Sequence, residues 1–155
     1  LTDVTGVQTC ALPIFRSTGK DISDSLAEKI AVMAEGHPHY VQQLAQLVWL
    51  RTGKEVTSGI IEESVDGLVL QMSLLFQGIT ENLTTPQVNF LRMLIDGETR
   101  HTTRANIDKY QLGSSAHVIR IKKSLIEKEI VDEQPGGLII LDPVYSTWLR
   151  YYYFI

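Results

Sequence analysis

His37 and His39 stand one residue apart, a spacing open to metal chemistry. A zinc site needs three or four ligands at recognisable spacings, and no third ligand is so placed in this sequence. His101 and His117 have no recognisable partner. Ser17-Thr18-Gly19-Lys20 has the outline of the end of a phosphate-binding loop. Such a loop needs an earlier glycine, so that backbone N–H groups can cradle phosphates, and a Ser or Thr after the lysine for magnesium. The glycine is missing and Asp21 follows Lys20, so this is not a P-loop. Arg104, Arg120, Lys122 and Lys123, with Lys128 beyond them, are cations able to neutralise nucleic-acid phosphates. Gly36-His37-Pro38 joins a residue that permits a tight turn to one with a rigid apolar face. No nucleophile pairs with a base, so no catalytic residue is assigned. Glu62, Glu63 and Asp66 form an acidic helix face of the usual solvated kind.

Helices must position these groups. Ser23 or Asp24 caps a predicted helix with Leu26, Ile30, Met33 and Ala34 on one face, ending at Gly36. Pro38 suits the first turn of the next helix, where its missing N–H costs nothing. That helix turns Val41, Leu44, Leu47 and Val48 inward and stops before Gly53. Thr57 caps a third, whose Ile61, Val65, Leu68, Met72 and Leu75 form an apolar stripe, with Met72 and Phe76 in the core.

After Asn82 the pattern changes. Thr85-Pro86 reads as an N-cap and first helical residue, opening a helix with Val88, Leu91, Leu94 and Ile95 on one side and a stop at Asp96-Gly97. A short helix from Arg104 to Tyr110 follows, then a turn at Gln111-Leu112-Gly113. Ser114 caps a helix carrying Val118, Ile121 and Leu125. Strands at 130–133 and 138–141 flank a Gln134-Pro135-Gly136-Gly137 turn. Asp142-Pro143 opens a last helix through Trp148. The expected fold is mostly α: a small helical bundle over 15–82, then a winged helix-turn-helix with a short β-hairpin over 83–155.

Residues 4–14 resemble, codon for codon, a frame translation of a common short-read sequencing adapter. Residues 1–14 are therefore expected to be non-native, native sequence to begin near Phe15, and the chain to be a C-terminal fragment. Discounting them removes the one cysteine, Cys10, and leaves 14 basic and 17 acidic residues, a net charge of −3. No disulfide framework or thiolate metal site follows, and a reducing cytoplasm is the expected compartment. No stretch approaches the roughly 18 apolar residues of a membrane span, so no membrane is expected as a partner. Mild acidity gives no electrostatic reason for nucleic acid as the main partner.

Three segments together carry a family resemblance: Gly36-His37-Pro38-His39-Tyr40-Val41-Gln42-Gln43-Leu44, Tyr110-Gln111-Leu112-Gly113-Ser114-Ser115-Ala116, and Leu141-Asp142-Pro143-Val144-Tyr145-Ser146-Thr147-Trp148-Leu149. From Phe15 to about Tyr152 the chain resembles the C-terminal part of archaeal and bacterial STAND-type P-loop ATPases, relatives of AAA+ proteins. The resemblance implies a helical lid and a winged helix that close over nucleotide bound by a missing N-terminal ATPase domain. It implies ATP or ADP with Mg2+ in the intact parent, and no tightly bound cofactor in this fragment, which lacks both Walker motifs and is not expected to be an enzyme. In that family a Gly-x-Pro motif packs its proline on the adenine. Gly36, His37 and Pro38 match it and are the candidate nucleotide-binding residues. AAA+ lids often add a sensor arginine, but no Arg or Lys occurs between Gly36 and Leu50, and Arg51 lies at the far end of the helix.

The alternative is a winged-helix module for DNA or protein without ATPase activity. DNA would be met by Arg104, Arg120, Lys122 and Lys123, although the wing carries Asp132 and Glu133. A protein partner would be met by the aromatic cluster Trp148, Tyr151, Tyr152, Tyr153 and Phe154, of which Trp148 and Tyr152 also suit the winged-helix core.

Overall fold

The computed structural model describes residues 12–155. The adapter-like residues 4–11, with Cys10, lie outside these; Leu12, Pro13 and Ile14 begin the first helix. Two compact units divide the chain, one ending at Met72 and one running from Ser73 to Ile155. The division falls inside a helix, ten residues before the 82/83 boundary suggested by the turn signals.

The first unit holds α1 (Leu12–Ser17), α2 (Asp24–Met33), α3 (Pro38–Arg51) and the start of α4 (Ser58–Glu81). Ser23 caps α2 by accepting a hydrogen bond from the Leu26 N–H. Its buried face is Ala27, Ile30, Ala31 and then Ala34, with Leu26 and Met33 only half-buried. Alanines let α2 and α3 approach closely, which the larger side chains would prevent. Glu35 and Gly36 both take left-handed φ angles, +49° and +71°, and the Gly36 N–H donates back to Ala31. This reversed turn ends α2. Pro38 then opens α3, which buries Tyr40, Val41, Leu44, Ala45 and Val48. A single parallel bridge joins Asp21 to Glu55, the Asp21 N–H donating to Lys54 at 2.8 Å and its carbonyl accepting from Val56 at 2.9 Å. Buried Ile22 and Val56 flank it.

On α4 the stripe differs from the expected one. Ile61, Ser64, Leu68, Phe76 and Thr80 are buried, Val65 is half-buried, and Leu75 is 56% exposed. The buried set is spaced three, four, eight and four residues, with Met72, expected in the core, only half-buried in the gap; it includes two hydroxyls, which an apolar search passes over. Each donates four residues back, Ser64 to Ile60 at 2.6 Å and Thr80 to Phe76 at 2.7 Å, so neither leaves a buried polar group unpaired.

The second unit adds α5 (Thr85–Ile95), α6 (Arg104–Lys109), α7 (Ser115–Glu127), β1 (Val131–Gln134), β2 (Gly137–Ile140) and α8 (Pro143–Trp148). Thr84, not Thr85, is the N-cap of α5. Gln87 Oε1 accepts from the Thr84 N–H at 2.9 Å while its Nε2 donates to Ser124 on α7 at 3.0 Å. That double role buries Gln87 and turns Phe90, Leu91 and Met93 inward, leaving Val88 and Leu94 half-buried. Val118, Ile121 and Leu125 of α7 are buried as their spacing requires, and α7 packs on α5 and β1. The strands pair antiparallel, Val131 opposite Ile140 and Gln134 opposite Gly137, so Pro135-Gly136 is a two-residue turn. Asp142 Oδ1 accepts from the Val144 and Tyr145 N–H groups, both at 2.9 Å, and starts α8. The chain then widens into one π-helical turn, Leu149–Tyr153, with the Phe154 N–H donating to Leu149 at 3.0 Å. Three helices followed by a hairpin make this unit a winged helix.

Its aromatic centre joins the end of α4 to α8. Phe76 lies 5.2 Å from Tyr145 and 5.9 Å from Trp148, centroid to centroid. The Tyr145 and Thr80 hydroxyls are 2.8 Å apart. Trp148 is buried, but Tyr152 is 37% exposed and does not close the core as expected; Tyr153 packs on Trp148 instead, at 5.3 Å. Because Thr80 keeps its bond to Phe76 without the phenol, Tyr145→Phe should cost only about 1 kcal/mol. Leu125→Ala, at a fully buried site, should cost about 2–5 kcal/mol. Urea unfolding checks both; a Tyr145→Phe loss as large as that of Leu125→Ala would mean that the phenol contributes well beyond one ordinary hydrogen bond.

Candidate functional site

The first unit presents the Gly36-His37-Pro38 turn, the candidate nucleotide contact. All three residues and His39 are exposed. The left-handed Gly36 lets the chain reverse so that Pro38 stands at the N-terminal end of the 14-residue α3. The first N–H groups of a helix lack partners within it, and the helix dipole makes that end positive. Both imidazoles flank buried Tyr40, His37 at 6.2 Å and His39 at 5.8 Å between centroids. Among the described residues no group of three or more His, Cys, Asp or Glu could hold a metal ion.

Ser17-Thr18-Gly19-Lys20 has a structural role. The Thr18 and Lys20 N–H groups donate to Ile14 and Phe15, closing the end of α1, so they are not free to cradle phosphate. Thr18 Oγ1 accepts from the Trp49 indole at 2.8 Å. Lys20 lies 4.0 Å from the Trp49 ring centroid and donates to the Trp49 carbonyl at 2.5 Å. An apolar groove of about 400 Å³ opens beside this contact, walled by Phe15, Val41, Ala45 and Trp49. Arg51 lies on the α4 side of the unit, where a Cβ on Gly67 would stand 2.5 Å from its Nη2.

The second unit carries the four candidate DNA-contacting cations, and three have acidic partners. Arg104 binds Asp108 at 2.9 Å, Lys123 approaches Glu127 at 3.8 Å, and Lys122 binds Glu133 of the wing. The wing thus takes a cation from α7 instead of presenting one. Arg120 is exposed beside Ile119, itself 61% exposed. No ion pair of Arg120 occurs among the described residues.

The two unassigned histidines bond to backbone carbonyls. His117 Nδ1 lies 2.9 Å from the Leu112 carbonyl, and His101 Nε2 lies 3.1 Å from that of Glu98. His101 also meets Phe90 edge-on at 5.5 Å.

A second cavity was not legible in the sequence. It is polar, about 350 Å³, and lined by Asn89, Arg92 and Asp96 of α5 and its cap, then Lys109, Tyr110 and Gln111 at the end of α6. The Tyr110 hydroxyl donates to Asp96 Oδ2 at 2.6 Å. Burial, and then Asp96 beside it, push the Tyr110 phenol up from its ordinary value. Lys109 is raised by Tyr110 and then by Glu98, to which it donates at 3.2 Å. Gln111 reaches the cavity from a left-handed backbone, φ +54°. Two segments 12 residues or more apart build this site, so no single motif marks it.

Burial lowers the His101 pKa below 6.5, against the Glu98 carbonyl, which raises it. The unfolded chain therefore binds this proton more readily. The neutral-ring stability is fully present above about pH 6.5 and is lost as pH falls below that value toward the folded pKa. Thermal melts between pH 7.5 and 5.5 should show a decline that His101→Gln reduces; an unchanged slope in the variant would remove His101 as its source.

A family model described as a probable winged helix domain matches residues 74–151. No curated protein and no solved structure matches the chain. The matched segment covers just over half of the sequence and coincides with the three helices, hairpin and closing helix of the second unit: the chain belongs to the probable winged helix domain family.

Proposed function

We propose that this chain is the regulatory end of a P-loop ATPase, a helical lid and a winged helix that close over ATP or ADP and Mg2+ held by another domain. The observation that carries this reading is the turn at Gly36–Pro38. An exposed proline ring supplies a flat apolar wall for an adenine, and a glycine at φ +71° permits the reversal that presents it. His37 stands between them with its ring exposed. In this reading the lid supplies the base contact, and phosphate and magnesium chemistry belongs to the other domain. The chain alone then neither hydrolyses ATP nor binds it tightly.

Duplex DNA is the less favoured partner, because affinity for it rests on cations free to displace counterions. Lys122, Lys123 and Arg104 instead face carboxylates of their own chain. The expected result is no saturable binding of a short duplex at low salt. Binding that weakens steeply with salt and is reduced in Arg120→Ala would favour the DNA-binding module.

The test of the ATPase reading is the genomic sequence upstream of the Phe15 codon. An in-frame Gly-x-x-x-x-Gly-Lys-Ser/Thr supports it; a start codon close to Phe15 with no P-loop overturns it. In the longer protein Pro38→Ala should weaken ATP binding by roughly fivefold, the equivalent of losing about 1 kcal/mol of apolar contact. Unchanged affinity would place the adenine elsewhere.

A further inference from the structure

We infer that the polar cavity between the ends of α5 and α6 is a carboxylate-binding site. Arg92 carries the argument. Its guanidinium lies 5.8 Å from the Phe154 ring centroid, within the range of a cation–π contact that leaves the N–H edge open for hydrogen bonds. No ion pair of Arg92 occurs among the described residues. Asp96, one helical turn on and the nearest acid in sequence, is engaged by the Tyr110 hydroxyl instead. A guanidinium held against a ring, in a polar cavity and without a carboxylate of its own, is a receptor for a planar oxyanion.

Charge selects the class of ligand. Arg92, Lys109 and Asp96 line the cavity, and Glu98, paired with Lys109, brings the local charge to zero. Lys109 and Asp96 are engaged by Glu98 and Tyr110, so among the lining residues the Arg92 fork is the positive group open to a ligand, and it matches one negative charge. A carboxylate fits, bound by both nitrogens of the Arg92 fork. A phosphate monoester, with close to two charges at neutral pH, meets the field of Asp96 without compensation. Asn89 and Gln111 bring amides for a second polar group next to the carboxylate, which a peptide bond supplies.

The ligand carboxylate belongs either to a free small acid or to an acidic side chain of a peptide, and the experiment separates the two. The full chain is isotope-labelled for NMR and titrated at low ionic strength with propionate, inorganic phosphate, and an acetylated, amidated Gly-Glu-Gly peptide, which carries one carboxylate. Saturable shifts centred on Asn89, Arg92 and 109–111 are expected with propionate, weaker ones with phosphate. Arg92→Gln should weaken carboxylate binding at least about tenfold with the rest of the spectrum unchanged, while Arg104→Gln leaves it intact. A peptide bound about tenfold more tightly than propionate identifies a protein side chain as the source; equal affinities identify a free acid. The inference is overturned by shifts spread over the surface, by phosphate binding more tightly than propionate, or by an Arg92→Gln variant that binds as before. None of these outcomes bears on the ATPase reading, because neither Pro38 nor a P-loop enters.

Discussion

Phe76 is the contact on which the winged helix depends. Its ring is fully buried against Tyr145 and Trp148, so the last turns of α4 and the closing helix α8 share one aromatic centre. Aromatic pairs in such offset geometries add to the area they bury. The Thr80–Tyr145 hydroxyl pair adds a hydrogen bond between α4 and α8 beside this cluster. Leu125 on α7 and Leu91 and Phe90 on α5 are fully buried as well. The family match begins at residue 74, two residues before Phe76, although the turn that visibly ends the helix comes eight residues later.

Much of this fold was legible in the residues, because caps and glycines state their backbone role locally. Ser23, Ser114 and Asp142 all accept N–H bonds where their types and positions suggest, and Pro135-Gly136 makes the hairpin. Burial was harder. Ala27, Ala31, Ser64, Thr80 and Gln87 are buried while larger apolar neighbours stay partly open. Small side chains are selected by close helix approach, and hydroxyls or amides by a backbone partner, neither of which leaves a hydrophobic signature. The site residues divide the same way. A turn such as Gly36–Pro38 is written in consecutive letters, whereas the cavity around Arg92 comes from two helix ends.

The acidic wing shows how a local charge acts through its partner. Glu133 is an unsuitable residue to lay against phosphate, yet it is the ion-pair partner of Lys122 on the helix that would enter the groove. An exposed pair of this kind contributes little stability; its larger effect is on the field outside the protein. The face offered by α7 is left with Ile119 and Arg120 beside a neutralised Lys122, a surface both apolar and mildly basic.

The π-helical turn at Leu149–Tyr153 changes the arithmetic of the C-terminal aromatics. In an α-helix, positions 148 and 153 are about 140° apart around the axis and face different directions. A wider turn, closed by a bond five residues back, brings the fifth residue round to nearly the same side, which is how Tyr153 comes to lie on Trp148. These residues therefore follow a period that neither a helical nor a strand search detects. Removing one residue from positions 149–152 would restore the ordinary winding and leave Tyr153 four residues after Trp148, about 40° away around the axis, still on the indole. The wide turn thus absorbs one extra residue while the Trp148–Tyr153 contact is kept, as an insertion tolerated by the winding and not by the packing.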